Sequence, residues 1–547
     1  MNDIVDEFET ASFGDVRTDR RSKKILADMY DLVGSGLRGS CQGSAEIKAA
    51  YRFLDSNIVD TDKILKPHYA QTIERIRKYK IVGFDQDTTD IDMKHMSSVE
   101  DLGVLNDTDR PGYSLHPVIA FTPEKLCLGV VHTEVLIRNP EDLGKKPDTS
   151  RPIEDKESYR WIKGYHATCK IAEQCPDTLC VSIGDRESDI FELLVEATNP
   201  ENKAELIARA WHDRKITVQE SDENTNKHQD LTNEINNLTE ENKLLVKKNS
   251  QLKKNKKIED LREEKRKEFE DNKLLISQNK EKIKKNNSII NEDEKIVSSF
   301  TYQIKKGEIV GTAEFILPAG RGRKSRPVKQ NIRTATLTVP PPLHKKHLPS
   351  ISINVVYLEE IDIPAGESPV NWMLLTTLPV DSLEAAQLVV DLYLSRWGIE
   401  MFFKVLKSGC KIEELRFKSA NRLMSCVAMY MIVAWRVMYA TYLGRECPDA
   451  PCSFLFDDDE WHSVYAVIKK SKPPELPPSL GEFTKMIATL GGFKGRNSDG
   501  HPGIKAMWQG IQAMHRLAAG WSAYREFGEP SSHKIEKKKP LTKKGLL

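Results

Sequence analysis

The chain has 547 residues, more than a single hydrophobic core normally spans, so several domains are expected. Its 82 Lys and Arg residues almost balance its 81 Asp and Glu residues, and the net charge therefore neither requires nor excludes a polyanionic partner. The nine cysteines lack the paired spacing of a zinc site or a disulfide scaffold, and no apolar run has the length of a membrane span. Because an acidic N-terminus stands in place of a signal peptide, the sequence predicts a cytoplasmic protein.

Residues 1–75 predict a small helical domain. Apolar residues recur at helical spacing in KKILADMYDLV and AEIKAAYRFLD. Five cations gather in its first half, namely Arg17, Arg20, Arg21, Lys23 and Lys24. Taken alone, these charges favour a solvated basic edge over DNA contact, because a run of charge usually keeps a helix surface wet.

Residues 76–215 predict a mixed sheet with helices packed on it. The β-rich runs are YKIVGFDQDTT, HPVIAFTPEKLCLGVVHTEVLIR, TLCVSIGD and ELIARAW, and a helical segment, SYRWIKGYHATCKIAEQC, precedes the third run. Acidic residues end two of these runs: Asp85 and Asp87 in the first, and Asp185 in the third.

Residues 226–299 predict a coiled coil. Apolar residues follow heptads through Leu231 and Leu238 and later through Ile276 and Ile283, with Asn at several companion core positions. The stretch 253–268 is nearly all charged and keeps no apolar seam. We favour two helices folded back as an antiparallel hairpin, and a long intermolecular zipper is the alternative.

A second β-rich section follows the coiled coil, and one of its loops is strongly basic. Gly and Pro flank the cations of this loop, which suits phosphate contact better than packing. The cations are Arg321, Arg323, Lys324, Arg326 and Lys329. Two interpretations stay open at this point, DNA contact and ordinary surface charge.

A helix is predicted from about residue 383 to about residue 408, and four of its polar side chains lie among apolar residues at a notable spacing: Tyr393, Arg396, Glu400 and Lys407. At about 100° per residue they project from one narrow stripe. One interpretation is an internal salt bridge between Arg396 and Glu400. The other is a shared ligand, because Glu400 and the strand-end aspartates could form an oxygen cage for two hard divalent ions.

Three motifs then carry a specific resemblance. YLSRWGIEMFFKVLK contains the Tyr-x2-Arg-x3-Glu-x6-Lys signature of the DDE (Asp-Asp-Glu) transposases of the insertion-sequence-four family. VSIGDRESDIFELL resembles the second-aspartate motif of that family, with Ser188 where Ala is usual. GFDQDTTD resembles the first-aspartate motif, an Asp followed by two Thr, which selects Asp87 over Asp85 and Asp90.

The resemblance implies an α/β fold with a ribonuclease-H-like catalytic domain, a β-rich insertion that carries the coiled coil, and helical N-terminal and C-terminal domains. It assigns residues 1–75 to transposon-end binding, 76–215 and 371–425 to the two parts of the catalytic core, and 216–370 to the insertion. LGGFKGRNSDGHPGIKAMWQG resembles part of the dimerisation region, expected at residues 426–528. Residues 529–547 form a basic tail that is expected to be disordered.

The resemblance also assigns roles to single residues. Asp87, Asp185 and Glu400 would be the catalytic carboxylates and the ligands of Mg²⁺, with Mn²⁺ able to substitute. The resemblance implies DNA contact for a further set of residues: Tyr393, Arg396, Lys407, Arg209, Arg214 and, as a platform for a stacked base, Trp372.

These assignments predict a cut-and-paste DNA transposase. It would cleave transposon ends through a DNA hairpin and join them to target DNA as a homodimer in the synaptic complex, associated with the bacterial nucleoid and with no membrane partner. The first alternative is a catalytically inactive DNA-binding assembly protein derived from a transposase, against which the intact carboxylate trio argues. The second is a structure-selective nuclease, which would lack the end-binding and dimerisation segments.

Overall fold

The computed structural model describes residues 3–96, 99–105, 110–142, 151–216, 222–252, 263–297, 299–318, 324–496 and 499–528. The chain divides into two compact units. The first unit joins the residues up to Gly184 with those from Asp391 onward, and the second unit is Asp185–Val390.

The helices alternate with strands in the middle of the chain and follow one another at both ends. In chain order they are α1 Val16–Asp31, α2 Gly36–Ser40, α3 Ser44–Leu54, α4 Thr61–Ile76, α5 Tyr159–Gln174, α6 Phe191–Ala197, α7 Asp222–Leu252, α8 Glu263–Val297, α9 Phe300–Lys306, α10 Leu383–Ser395, α11 Trp397–Lys404, α12 Ala420–Glu446, α13 Asp458–Lys469, α14 Leu480–Leu490 and α15 Ile504–Phe527. Side-chain caps fix several starts, as where Asp60 accepts the Lys63 amide at 2.8 Å before α4.

The strands of the first unit are β1 Ile81–Gln86, β2 Thr89–Asp92, β3 Gly112–Phe121, β4 Cys127–Leu136 and β5 Leu179–Gly184. Strand β3 pairs antiparallel with β1, β2 and β4, whereas β1 and β5 run parallel. Most residues of β1 and β5 and all residues of β3 are buried, which matches their continuous apolar runs. The predicted mixed sheet with packed helices is confirmed.

Helix α12 forms much of the core of the first unit. It is long and apolar enough to cross a membrane by length and composition, yet 89% of its most apolar stretch is buried inside the protein. Its Trp435 donates from Nε1 to the Cys127 carbonyl at 3.1 Å, and its buried Arg436 donates to the Leu455 carbonyl at 3.0 Å. The expectation that no segment resembles a membrane span is therefore corrected, and core packing accounts for the apolar sequence of this helix.

Glu7, His68 and Arg75 form a buried cluster in the first unit. Nη1 of Arg75 lies 2.7 Å from Glu7 Oε1, and the guanidinium lies 4.1 Å from the centroid of the Trp435 ring. The Val130 amide donates to His68 Nε2 at 3.1 Å. Because Nε2 accepts, the proton of the neutral imidazole is on Nδ1, from which it is donated to Glu7.

The charges in this cluster follow from burial and pairing. Burial lowers the pKa of His68 more strongly than the neighbouring Glu7 raises it. Burial alone would raise the pKa of Glu7, but Arg75 and His68 outweigh it and hold that pKa below its ordinary value. The folded protein therefore pairs one carboxylate with one guanidinium and keeps the imidazole neutral.

We predict that His68 makes the free energy of unfolding fall as the pH falls below about 6.5, the pKa of an unperturbed histidine. The unfolded chain then binds a proton at this position that the folded chain excludes, and one such group costs up to about 1.4 kcal/mol per pH unit. Urea unfolding of wild type and His68→Gln at pH 7.5 and 5.5 measures this difference. The variant should lose less stability than wild type across the interval.

The control is His347→Gln, because His347 is exposed. This variant should keep the pH response of wild type. An equal response in His68→Gln would contradict the prediction.

The strands of the second unit are β6 Glu205–Arg209, β7 Gly311–Leu317, β8 Arg326–Val339, β9 Ile351–Ile361 and β10 Trp372–Thr376. They lie in the order β6, β10, β9, β8, β7, and each neighbouring pair is antiparallel. Burial alternates along much of β7 and β8, as expected for strands with one solvated face. The second β-rich section of the sequence is thus made of strands.

Helices α7 and α8 pair as an antiparallel hairpin within the chain. The polar pairs that join them are Asn249–Asn272 at 3.0 Å, Glu241–Asn279 at 3.0 Å and Glu234–Asn286 at 2.9 Å. Positions descend along α7 as they ascend along α8, which defines the antiparallel direction. Asn279 is buried, so its amide restricts the register of the pair. A supercoiled heptad seam stays a prediction.

We predict that the double variant Asn249→Cys, Asn272→Cys, made in a Cys447→Ser background, forms an intrachain disulfide. The two native side chains are hydrogen-bonded across the helix pair, so positions 249 and 272 face each other, as an intrachain crosslink requires. Cys447 is exposed in the native chain and would otherwise react.

Non-reducing electrophoresis after mild oxidation should show a monomer that migrates faster than the same chain after reduction. The matching single-cysteine variants should show no such product. A covalent dimer of the double variant would favour the intermolecular zipper instead.

Candidate active site

Two of the predicted catalytic carboxylates lie on either side of one guanidinium. Nη1 of Arg396 is 3.2 Å from Asp87 Oδ2, and its Nη2 is 3.0 Å from Glu400 Oε1. Only 10% of the Arg396 side chain is exposed, against 22% for Asp87 and 51% for Glu400. A buried cation thus offsets the repulsion between two carboxylates that come from distant parts of the sequence.

The continuous helix predicted from about residue 383 to about residue 408 is wrong in one respect. The regular bonding is interrupted at Arg396, between α10 and α11, although Arg396 keeps helical dihedral angles (φ −51°, ψ −29°), and the chain then makes a π-helical turn at Val405–Gly409. The Arg396 amide bonds to the Tyr393 carbonyl at 3.3 Å, and the Ile399 amide bonds to the Arg396 carbonyl at 3.2 Å. These short-range bonds tighten the chain at Arg396, whose guanidinium pairs with Asp87.

Lys407 does not share the ligands of Arg396, although both were placed on one stripe. Its Nζ donates to the Asp90 carbonyl and lies 3.6 Å from Glu413 Oε1. Tyr393 is buried, with its ring 5.9 Å from the Arg396 guanidinium carbon. The structure therefore brings Tyr393, Arg396 and Glu400 together with Asp87, and places Lys407 beside Asp90.

A chain of polar contacts supports Asp87. The Thr88 amide donates to Asp87 Oδ1 at 2.8 Å. The Thr88 hydroxyl receives the Arg160 Nε proton at 2.9 Å and lies 2.9 Å from His116 Nδ1. His116 Nε2 lies 3.2 Å from Gln86 Oε1. Burial and the charge of Arg160 hold the pKa of His116 well below its ordinary value, so this imidazole is a neutral member of the network.

Asp85 lies within β1, two residues before Asp87. It is fully buried, and Ser395 Oγ lies 3.3 Å from its Oδ1. Burial raises its pKa well above the ordinary value, against the opposing charge of Arg396. An enclosed carboxyl group with a raised pKa is a poorer ligand for a cation than an accessible carboxylate is.

Asp185 follows β5 directly and caps the 3-10 turn Arg186–Ser188. Its Oδ1 accepts the Glu187 amide at 2.8 Å, and the residue is half-buried. Strand β5 is the parallel neighbour of β1, with Ile183 opposite Asp85. Asp87 and Asp185 therefore each stand two residues beyond this pair, at the carboxyl ends of parallel strands.

Sequence reasoning missed the role of Asp189, the last acid of the second-aspartate motif. Its buried carboxylate accepts the amides of Trp211 at 2.7 Å and His212 at 2.9 Å, and it pairs with the Arg214 guanidinium. We name residues 210–214 with Asp189 the Asp189 clamp. The motif spacing marked this residue, but only the fold shows that it fixes a loop.

Several predicted DNA contacts have partners within the chain. Arg326 pairs with buried Glu360, and Arg209 donates to the Asn371 carbonyl at 3.3 Å. Trp372 is buried on β10, where its ring stacks on Phe315 with centroids 4.9 Å apart. Lys324 is exposed, and Arg321 and Arg323 lie outside the described residues. DNA contact by this set, Arg214 included, stays a prediction.

Asp87, Asp185 and Glu400 are the predicted metal ligands. Within the described part of the chain, no three His, Cys, Asp or Glu side chains lie close enough together to hold a metal ion. Asp87 and Glu400 nevertheless supply hard oxygen donors that already converge on one cation, the Arg396 guanidinium. This chemistry fits a divalent ion, whose preferred ligands are carboxylate oxygens.

Three family models match the chain. Residues 3–59 match the transposase DNA-binding model, residues 228–435 the transposase DDE domain, and residues 432–531 the transposase Tn5 dimerisation domain. Together the three matches cover more than half of the sequence. Along the chain, the DNA-binding match comes first, the DDE domain second and the dimerisation domain last. The chain belongs to the Tn5-like DDE transposases.

The family assignment supports several general properties of this transposase. The matched domains indicate DNA transposase function, DNA binding and dimer formation. DDE transposases generally use divalent metal ions. Glu400 lies inside the match to the DDE domain, whereas Asp87 and Asp185 precede it. The roles of the two aspartates therefore stay predictions, which rest on their motifs and on their strand-end positions.

We predict that Asp189→Asn loosens the Asp189 clamp. The change leaves the Arg214 guanidinium without its carboxylate, and breaking a buried ion pair typically costs about 3–5 kcal/mol. Hydrogen exchange of the amides of residues 211 and 212 should become at least about tenfold faster.

The matched control is Asp213→Asn, in the same loop. Asp213 is exposed and accepts one amide, that of Thr301, at 3.0 Å. This change should disturb the two amides less than Asp189→Asn does. Unchanged exchange in Asp189→Asn would show that the loop does not depend on the carboxylate.

Proposed function

We propose that this protein is an active cut-and-paste transposase that cleaves the ends of its element through a DNA hairpin and transfers them to target DNA. The observation that carries the proposal is the convergence of Asp87 and Glu400 on one cation in a chain with transposase domains.

Asp87, Asp185 and Glu400 are proposed as the ligands of the divalent ion, Mg²⁺ or Mn²⁺. Support comes from the parallel pairing of β1 and β5, because the carboxyl ends of adjacent parallel strands meet at one edge of a sheet. When bound, the ions would activate the attacking hydroxyl or water and stabilise charge on the leaving oxygen.

The residues around the carboxylates would position the DNA. Arg396 can offer its guanidinium to a phosphate in two parallel hydrogen bonds, which suits the scissile phosphodiester. Thr88 and Arg160 would keep the Asp87 carboxylate in a fixed orientation through the contacts already described. Lys407 and Tyr393 are proposed to contact neighbouring phosphates.

The finer architecture belongs to the same proposal. The sheet with β1 parallel to β5 and α5 between them in sequence supports a ribonuclease-H-like core, formed by residues 76–215 and 371–425. Residues 216–370 are proposed as the insertion, 1–75 as the end-binding domain and 426–528 as the dimerisation region. A homodimer would hold two transposon ends in a synaptic complex in the bacterial cytoplasm, on the nucleoid when DNA is bound.

We predict that Asp87→Asn, Asp185→Asn or Glu400→Gln each lowers the rate of DNA cleavage at least about a hundredfold, since metal-assisted charge stabilisation contributes several kcal/mol. The assay uses the element's own end with flanking DNA, in Mg²⁺ and in EDTA. Wild type with Mg²⁺ should yield flank-free hairpinned ends.

Two exposed acids provide matched controls, Asp177→Asn and Glu414→Gln. Both variants should cleave like wild type. If wild type binds the end without cleaving it in Mg²⁺ or Mn²⁺, the inactive assembly protein becomes the better account.

A further inference from the structure

The hairpin of α7 and α8 has two faces that differ in charge. Buried residues along its seam include Leu245 and Asn249 on α7, and Phe269 and Asn279 on α8. Viewed from one end, two antiparallel helices wind in opposite senses. Residues that directly precede seam positions therefore lie on one face of the pair, and residues that directly follow seam positions lie on the other face.

One face carries two exposed leucines at the same level of the hairpin. Leu244 on α7 is 62% exposed, and Leu275 on α8 is 37% exposed. The interhelical hydrogen bonds of Asn249 and Asn279 lie on either side of this level. We name this surface the leucine face, and it comprises Leu244, Leu275, Glu241, Lys248, Asp271 and Lys282.

The charges of the leucine face are arranged in opposite order on its two helices. Glu241 and Lys248 lie on either side of the leucine of α7. Lys282 and Asp271 lie on the corresponding sides of the leucine of α8, and all four charged side chains are exposed. A half turn about either axis in the plane of this face brings each of them against an opposite charge of a second copy. The leucine face is therefore self-complementary, as an interface between two identical chains requires.

The opposite face of the hairpin lacks this property. Lys243, Lys273 and Lys280 lie there and are exposed, because each directly follows a seam position. The same face also exposes Val246, which is 53% accessible. A half turn of this face brings lysines close to lysines, and like charges oppose contact. The charge pattern thus favours contact between copies at the leucine face.

We propose that the leucine face binds the leucine face of a second copy of this chain, so that the helices of two hairpins pack as a group of four. The contact would remove the leucine side chains from water, and the charges would set the alignment of the two copies. This interface uses residues 241–282 and is separate from the match to the dimerisation domain at residues 432–531. It involves neither DNA nor cleavage, so it does not depend on the proposed function.

The test is crosslinking of the full chain without DNA, in a Cys447→Ser background that removes the exposed native thiol. Leu244→Cys treated with a bifunctional maleimide should form a covalent dimer, because the leucine positions of the two copies lie at one level in either alignment. The matched control is Val246→Cys, an exposed apolar position on the opposite face, which should give at least about fivefold less dimer. The parent chain with Cys447→Ser alone should give none.

Reversal of one charge tests the alignment of the two copies. Lys282→Glu, added to Leu244→Cys, should lower the yield of dimer at least about fivefold, because an acid of the second copy faces this position in both alignments. Its matched control is Lys280→Glu, which makes the same change on the opposite face and should leave the yield within about twofold. Far-ultraviolet circular dichroism verifies that each variant keeps its helices.

Equal yields of dimer from Leu244→Cys and Val246→Cys would overturn the proposal, and so would a Leu244→Cys chain that stays monomeric. An equal effect of Lys282→Glu and Lys280→Glu would overturn it too, since the charges of the leucine face would then have no special part in the contact. Cleavage of the transposon end in Mg²⁺ is a separate measurement. Failure of this proposal is therefore distinct from failure of the proposed function.

Discussion

Electrostatic repulsion between Asp87 and Glu400 is the constraint around which the candidate site is built. Two carboxylates that face each other are unfavourable unless a cation lies between them, and Arg396 is that cation. The break between α10 and α11 falls at Arg396 itself, so the backbone interruption and the charge pairing occur at one residue. The amide of Thr88 donates to Asp87 Oδ1, the oxygen that does not face Arg396. Both oxygens of the Asp87 carboxylate are therefore held in place.

Local patterns in the sequence were sufficient for much of this description. Alternation and apolar runs predicted the strands, and the resemblance to the transposase motifs selected Asp87, Asp185 and Glu400 as candidates. The helix break could not be predicted, because no Gly or Pro marks residue 396 and its partner Asp87 lies 309 positions away. The buried cluster of Glu7, His68 and Arg75 was missed for the same reason, since its members are as much as 68 residues apart.

Cations with a structural role and cations open to DNA look alike in a sequence. Arg214 and Arg326 were both predicted to contact DNA, yet each is paired with a buried carboxylate, Asp189 and Glu360 respectively. Each internal ion pair contributes one positive and one negative charge, which helps to explain a net charge of +1 in a protein with a DNA-binding domain. The net charge of the chain therefore does not show where the exposed cations lie, because each internally paired cation is cancelled by its acidic partner in the sum.

The same reasoning connects Arg396 to its proposed role on DNA. In the structure the charge of Arg396 lies between Asp87 and Glu400 and pairs with both. Under the proposed function, a divalent ion on those carboxylates would take over the neutralisation, and the guanidinium would become available to a phosphate at the same place. A lysine would serve less well, because only the planar fork of arginine can span two carboxylates and later present two parallel donors to one phosphate. One side chain would thus serve both the pairing of the two carboxylates, which the structure shows, and the proposed recognition of the substrate.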